Sequence, residues 1–166
     1  MSLSVFDPCL IRGCCLFFFL IFAISGCRTK APFEGKSVAQ LKRMLHDGDS
    51  KTQVQGAFGL SQLGPKAREA LPELLEALKS NDALVRQNAA LALGAIGPDA
   101  AEAVPSLTEA LHDGQWTVRR QAAISLGDIG PAAKSALPEL DKLKKDAHKP
   151  VAQSAIEAGK KIRQAP

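Results

Sequence analysis

Beyond Cys27 the sequence has no cysteine; the four it contains are Cys9, Cys14, Cys15 and Cys27. A disulfide, a cysteine-based metal site and a cysteine nucleophile are therefore excluded from everything downstream. Aromatic residues are scarce as well, at 5% of the chain, with one Trp and no Tyr. Much of the 46% hydrophobic content is Ala and Leu, which suits close helix packing better than sheets. Net charge is also low, at +4, too small to imply a nucleic-acid partner. Residues 28–132 hold 12 basic and 12 acidic side chains, and residues 133–166 hold 8 and 4, so the excess sits at the C-terminal end.

The N-terminus lacks the length of apolar sequence that a membrane-spanning helix needs. Cys14–Ile24 (CCLFFFLIFAI) is an uncharged run of 11 residues preceded by Arg12. A span takes about 20 residues, so this run has the length of a signal-peptide core. It ends in Ile24-Ser25-Gly26-Cys27: an aliphatic residue, two small residues, then cysteine. That ending resembles the lipobox of bacterial lipoproteins. The resemblance implies cleavage of residues 1–26, lipid on Cys27, and a linker through residue 35. Ordinary cleavage after Ser25, or retention as an uncleaved anchor, are the alternatives. The expected location is the cell envelope, as an exported, membrane-anchored lipoprotein on the periplasmic face or cell surface. Several acyl chains anchor a protein stably where one does not. The eight residues Arg28–Gly35 reach at most about 29 Å when extended, which keeps the rest close to the membrane.

The remainder repeats. Gly64-Pro65, Gly97-Pro98 and Gly130-Pro131 are spaced by 33, and so are Leu71-Pro72, Val104-Pro105 and Leu137-Pro138. Self-similarity at this period points to a solenoid. Each period contains two helical stretches. Leu71, Leu74 and Leu78, matched by Val104, Leu107 and Leu111 and by Val38, Leu41 and Leu45, form one helical stripe at i, i+3, i+7. Pro72, Pro105 and Pro138 must then fall in a first helical turn, where the missing N–H costs little. The second stretch, Leu84–Gly97 (LVRQNAALALGAIG), is matched by Thr117–Gly130 (TVRRQAAISLGDIG). Asp82 is placed to cap it, and Gly97 and Gly130 to end it. Gly94 and Gly127 cost about 1 kcal/mol each in helix propensity, which close approach of a neighbouring helix would offset.

These in-register Val-Arg, Ala-Ala, Leu-Gly and Ile-Gly elements resemble HEAT-like repeats, in particular the short Ala-rich subtype also found in phycobilisome lyases. The resemblance covers about Glu34 to Ala165 and implies an all-α fold, a right-handed α-solenoid of four helical hairpins in a domain spanning 36–166. Function is expected to be that of a protein–protein interaction scaffold without catalysis. The alternative is a lyase-like or ligand-handling subunit related to the phycobilisome-lyase branch. The end units depart from the pattern: Gly56 and Gly59 replace alanines, while Glu157, Gly159, Lys160 and Arg163 replace Ile124, Leu126, Gly127 and Gly130. Polar substitution on an outer helix is the signature of a capping repeat. It accounts for Lys142, Lys144, Lys145, Lys149, Lys160, Lys161 and Arg163 as a solvated cap; a basic patch for lipid headgroups or an acidic partner is the alternative.

Residues for chemistry are few. His46, His112 and His148 stand at helix ends in different units without metal-ligand spacing. Glu73, Glu76 and Glu109 have no suitable partner nearby in sequence. No catalytic, cofactor or metal site is expected. Arg86 and Arg119 recur at one position, where the resemblance implies a ladder with acidic residues of adjacent units; gripping an acidic ligand is the other reading. Trp116 either packs over its turn or serves as an aromatic hot spot. Gln55 and Gln62, Asn88 and Ala95, Gln121 and Asp128 form a polar, small, nearly uncharged row expected on the concave face. The candidate partner surface comprises Arg86, Asn88, Trp116, Arg119, Gln121 and Asp128. It would suit a protein or peptide rather than nucleic acid, on a monomeric chain.

Overall fold

The computed structural model describes Ala31 and residues 33–164. Apart from Ala31 these belong to one unit of the chain, Pro32–Pro166. The expected signal peptide and the lipid site at Cys27 lie outside the described residues.

Several helices begin where a side chain caps their free N–H groups, and others where proline occupies the first turn. In α1 (Val38–Leu45) Ser37 and Gln40 form a reciprocal capping box, with Gln40 N–H donating to Ser37 Oγ at 3.3 Å and Ser37 N–H to Gln40 Oε1 at 2.9 Å. Asp49 caps α2 (Ser50–Leu63). Asp82 caps α4 (Ala83–Ile96), accepting from Leu84 N–H at 2.8 Å, as its position in the sequence implies. The short helices α3 (Leu71–Ala77), α5 (Val104–Ala110) and α7 (Leu137–Leu143) carry Pro72, Pro105 and Pro138 in their first turns. The second helices are completed by α6 (Trp116–Ile129) and α8 (Lys149–Gln164).

The Gly-Pro pairs do more than stop a helix. Gly64, Gly97 and Gly130 have φ of +56°, +76° and +77°, which no L side chain adopts cheaply, and so end α2, α4 and α6. Each then opens a seven-residue 3₁₀ segment: Gly64–Ala70, Gly97–Ala103 and Gly130–Ala136. With three residues per turn, side chains at i and i+3 eclipse. Ala67 and Ala70, Ala100 and Ala103, and Ala133 and Ala136 form that stripe, and all are fully buried.

Four hairpins follow, α1/α2, α3/α4, α5/α6 and α7/α8, stacked into an α-solenoid with the second helices packed on one another in order. Among the described residues there is no strand. Leu41, Leu74, Leu107 and Leu140 recur every 33 residues at no more than 1% exposure, facing Leu60, Leu93 and Leu126 at 0%. They belong to one continuous core, which no single hairpin could enclose. The helix glycines set the approach of neighbours. A Cβ on Gly94 would stand 2.9 Å from Ser125 Cα, and one on Gly127 would stand 2.9 Å from Ala158 Cα. At the Gly94 crossing, Ser125 Oγ donates to Ala90 O across the helix pair at 2.7 Å.

Candidate partner-binding surface

Two of the candidate residues are taken up by the fold. Arg86 clasps Asp113 of the next unit with two parallel bonds, Nε to Oδ2 at 2.7 Å and Nη2 to Oδ1 at 3.0 Å, while Nη1 donates to Ser80 O at 2.8 Å. Arg119 repeats the arrangement one unit on, with Asp146 at 2.8 and 3.1 Å and Asp113 O at 2.8 Å. The two residues of each pair are 27 apart in sequence and largely buried; Arg119 and Asp146 side chains are 15% and 9% exposed. Such planar, two-pronged contacts are the geometry for which Arg is suited and Lys is not. Burial pushes the Asp113 carboxyl up, but hydrogen bonds from Arg86 and from Gln115 N–H hold it below its ordinary value. For Asp146, the hydrogen bonds from Arg119 outweigh burial in the same direction. In the first unit Gln53 stands at the Arg position and donates to Asp47 O at 2.6 Å. An ion pair joins units as well: Lys42 reaches Glu73 at 2.8 Å, so Glu73 does have a partner, 31 residues away, and His112 Nε2 lies 3.1 Å from Glu139 Oε2.

The other polar candidates lie on the outer face of the second helices, turned away from the first. On α4 the buried positions are Val85, Ala89, Ala90, Ala92, Leu93, Gly94 and Ile96. This leaves Leu84, Asn88, Leu91 and Ala95 on one stripe, and Thr117, Gln121, Ile124 and Asp128 at the same places on α6. Asn88 Nδ2 donates to Leu84 O at 2.8 Å, and Asp128 pairs with Lys161 of α8 at 2.8 Å. The face is therefore less polar than the amide row alone suggests. Phe58, Leu91 and Ile124 cross it as a half-buried apolar line that ends at Glu157 on α8, with Phe58 packed edge-on against Phe33 at 5.1 Å between centroids. Leu84 is 59% exposed and edges a cleft of about 460 Å³ together with Lys51, Val54 and Gln55.

Trp116, 38% exposed, stacks on His148 of the next unit with centroids 5.7 Å apart and planes 6° from parallel. The contact shown joins it to the next unit, not to its own turn, and part of the ring stays exposed.

A family model of HEAT repeats matches residues 38–114 and 98–160. The chain belongs to the HEAT-repeat family. No curated protein matches it. Among solved structures, it is similar to an engineered protein, a target of the Northeast Structural Genomics Consortium, at 27% identity and a TM-score of 0.62. The match covers 76% of this chain and 62% of the engineered one, so this HEAT-repeat chain spans less than two thirds of that structure.

A HEAT-repeat fold fits a protein-interaction role, and the apolar line is the part of its surface that sequence reading passed over. The signal was present: Phe58, Leu91 and Ile124 are spaced by 33 like every other repeat element. They were hidden because an apolar residue in an Ala-rich helix reads as core. Four of the seven C-terminal cations are taken up in ion pairs. Lys142 pairs with Glu139, Lys144 and Arg163 with Asp141, and Lys161 with Asp128. Among the described residues, no group of three or more His, Cys, Asp or Glu stands where it could hold a metal ion, and no helix is long and apolar enough to cross a membrane.

Proposed function

We propose that this chain is a non-enzymatic scaffold that binds another protein or peptide on the second-helix face of its inner units, held at the cell envelope by lipid on Cys27. The observation that carries the binding surface is the pair Leu91 and Ile124, half-buried at one place on the two inner units; Phe58 at the same place on α2 is packed against Phe33. The ladder supports it by exclusion, since both arginines spend their donors within the fold. Nucleic acid is a poor fit, because a phosphate backbone calls for several free cations on one face, and of Lys51, Arg120 and Lys161 here the last is paired with Asp128. Lys160 stands in α8 where α6 has Gly127, the kind of polar substitution a capping unit carries. Tethering rests on the Ile24-Ser25-Gly26-Cys27 sequence alone.

The test is cross-linking in intact cells followed by mass spectrometry of what is captured. A specific protein partner is expected; recovery of none would count against the scaffold. Mass analysis of the mature N-terminus addresses the tether: an acylated Cys27 is expected, and an unmodified Gly26 or Cys27 terminus would remove it.

A further inference from the structure

One stretch of sequence occurs twice: Leu45-His46-Asp47-Gly48 follows α1, and Leu111-His112-Asp113-Gly114 follows α5. An Asp-Gly step is a place where a chain can rearrange without an enzyme. The Gly nitrogen attacks the carbon of the Asp side-chain carboxyl, and a C–N bond forms. One carboxyl oxygen leaves as water, taking the amide proton and the acid's own proton. The cyclic imide then takes water back at either carbonyl. One direction restores Asp; the other gives isoaspartate, whose main chain runs through the former side-chain methylene. Glycine permits this because no Cβ hinders the approach of its nitrogen.

The two copies share their turn. Asp47 N–H donates to Met44 O at 3.3 Å, and Asp113 N–H to Ala110 O at 3.2 Å. Each carboxylate accepts from the N–H two residues on, Asp47 from Asp49 at 2.9 Å and Asp113 from Gln115 at 2.8 Å. Gly48 and Gly114 are both exposed, and neither would bring a Cβ within 4 Å of a neighbour. Neither glycine nitrogen donates a hydrogen bond among the described residues. Local sequence and backbone therefore give the two sites the same reactivity.

They differ in what grips the carboxyl. Arg86 of the preceding unit holds both oxygens of Asp113, at 2.7 and 3.0 Å, and the Asp113 side chain is 12% exposed. To reach Gly114 N the carboxyl must turn away from that fork and leave a buried guanidinium unpaired. Burial pushes this carboxyl up, but the Arg86 bonds hold it ionised, and an ionised carboxylate has no acid proton with which an oxygen can leave as water. Asp47 belongs to the first hairpin, which has no Arg-bearing helix before it among the described residues. It is exposed, and its Oδ2 has no hydrogen bond or ion pair there. Gln53 takes the Asp47 backbone oxygen and leaves the carboxyl alone. We propose that Asp47-Gly48 is a site of spontaneous isoaspartate formation, and that the identical Asp113-Gly114 step is protected by the clasp of Arg86. The added methylene falls between α1 and α2, two residues from Asp49, the cap of α2, so the end hairpin is the one that the modification loosens.

The test is to hold the full-length chain in mild detergent at neutral pH and physiological temperature. Samples are digested over time and scored at each site by electron-transfer fragmentation, with methyl transfer by an isoaspartyl methyltransferase as a second readout. Charge-assisted hydrogen bonds restrain Asp113, so isoaspartate should form at Asp47 about tenfold faster or more. In concentrated urea the clasp is gone, and the two sites should react at similar rates. Arg86→Ala should speed the reaction at Asp113 severalfold, with circular dichroism confirming that the helices persist. Gly48→Ala, which meets no neighbour, should suppress the reaction at Asp47 alone. Equal rates in the folded chain, faster reaction at Asp113, or a difference in urea as large as in the folded chain would each overturn the proposal. So would a folded Arg86→Ala variant in which Asp113 reacts no faster. The comparison of folded chain with urea needs no variant and decides the matter if Arg86→Ala fails to fold.

Discussion

Two glycines inside helices should respond differently to the same substitution. Gly→Ala in a helix interior gains about 1 kcal/mol of propensity. At Gly127 the added Cβ would meet Ala158 Cα at 2.9 Å and Ala158 Cβ at 3.1 Å. Both atoms belong to a packed neighbouring helix, which must move as a body. Overpacking of this kind costs about 1–3 kcal/mol, so the net change is a loss of up to about 2 kcal/mol. At Gly159 the Cβ would meet Arg163 Nη1 at 2.9 Å and nothing else closer than 3.8 Å. That guanidinium is the end of a flexible side chain, held by Asp141 at 2.9 Å in an exposed pair. Displacing it forfeits about 0.2–1 kcal/mol, so Gly159→Ala should range from neutral to stabilising by about 0.8 kcal/mol. Urea unfolding followed by circular dichroism reads the difference directly, and heat should show Tm lowered for Gly127→Ala and unchanged or raised for Gly159→Ala. If both substitutions stabilise equally, the close packing of α6 on α8 is refuted.

Other substitutions separate structure from surface. Arg119→Ala should cost about 2–4 kcal/mol, since it leaves the Asp146 carboxylate, 9% exposed, without its partner; Lys144→Ala, which breaks an exposed pair, should cost less than about 0.5 kcal/mol in the same unfolding assay. Gly97→Ala should cost about 1–3 kcal/mol from backbone strain alone, because φ is +76° and nothing lies within 4 Å of the added carbon. Asp113 and Asp146 have folded pKa values below their ordinary 3.8, so the stability they contribute is present above that value and is lost as pH falls through the lower folded value. An acid titration of stability should therefore fall below about pH 4, and the fall should be shallower in the Arg86→Ala, Arg119→Ala double variant.

What could be read from sequence depended on how local its cause was. The helix ends were legible because Gly97 and Pro72 act through their own backbone, and Asp82 through the residue two places on. The close approach at Gly94 was legible because a glycine that costs propensity needs a reason. The partners of the arginines were not, since the 27-residue offset to Asp113 and Asp146 comes from how one hairpin stacks on the next. The recurrence of Asp47, Asp113 and Asp146 at one place in the period was the available sign. The 3₁₀ segments were missed although Ala67 and Ala70 show their three-residue spacing, because alanines in this chain mark α-helix equally well. On the second-helix face, Asn88, Gln121 and Asp128 stood out in the sequence and the apolar residues between them did not.

The central claim is that the second-helix face of the inner units is where this protein meets its partner. A photo-cross-linking amino acid at Leu91, compared with one at the exposed Glu102 on a 3₁₀ segment, tests it in intact cells. A discrete cross-linked partner from position 91, absent from position 102 and lost on adding Ile124→Lys, is the expected result. Cross-linking from position 102 and not from position 91 would contradict it.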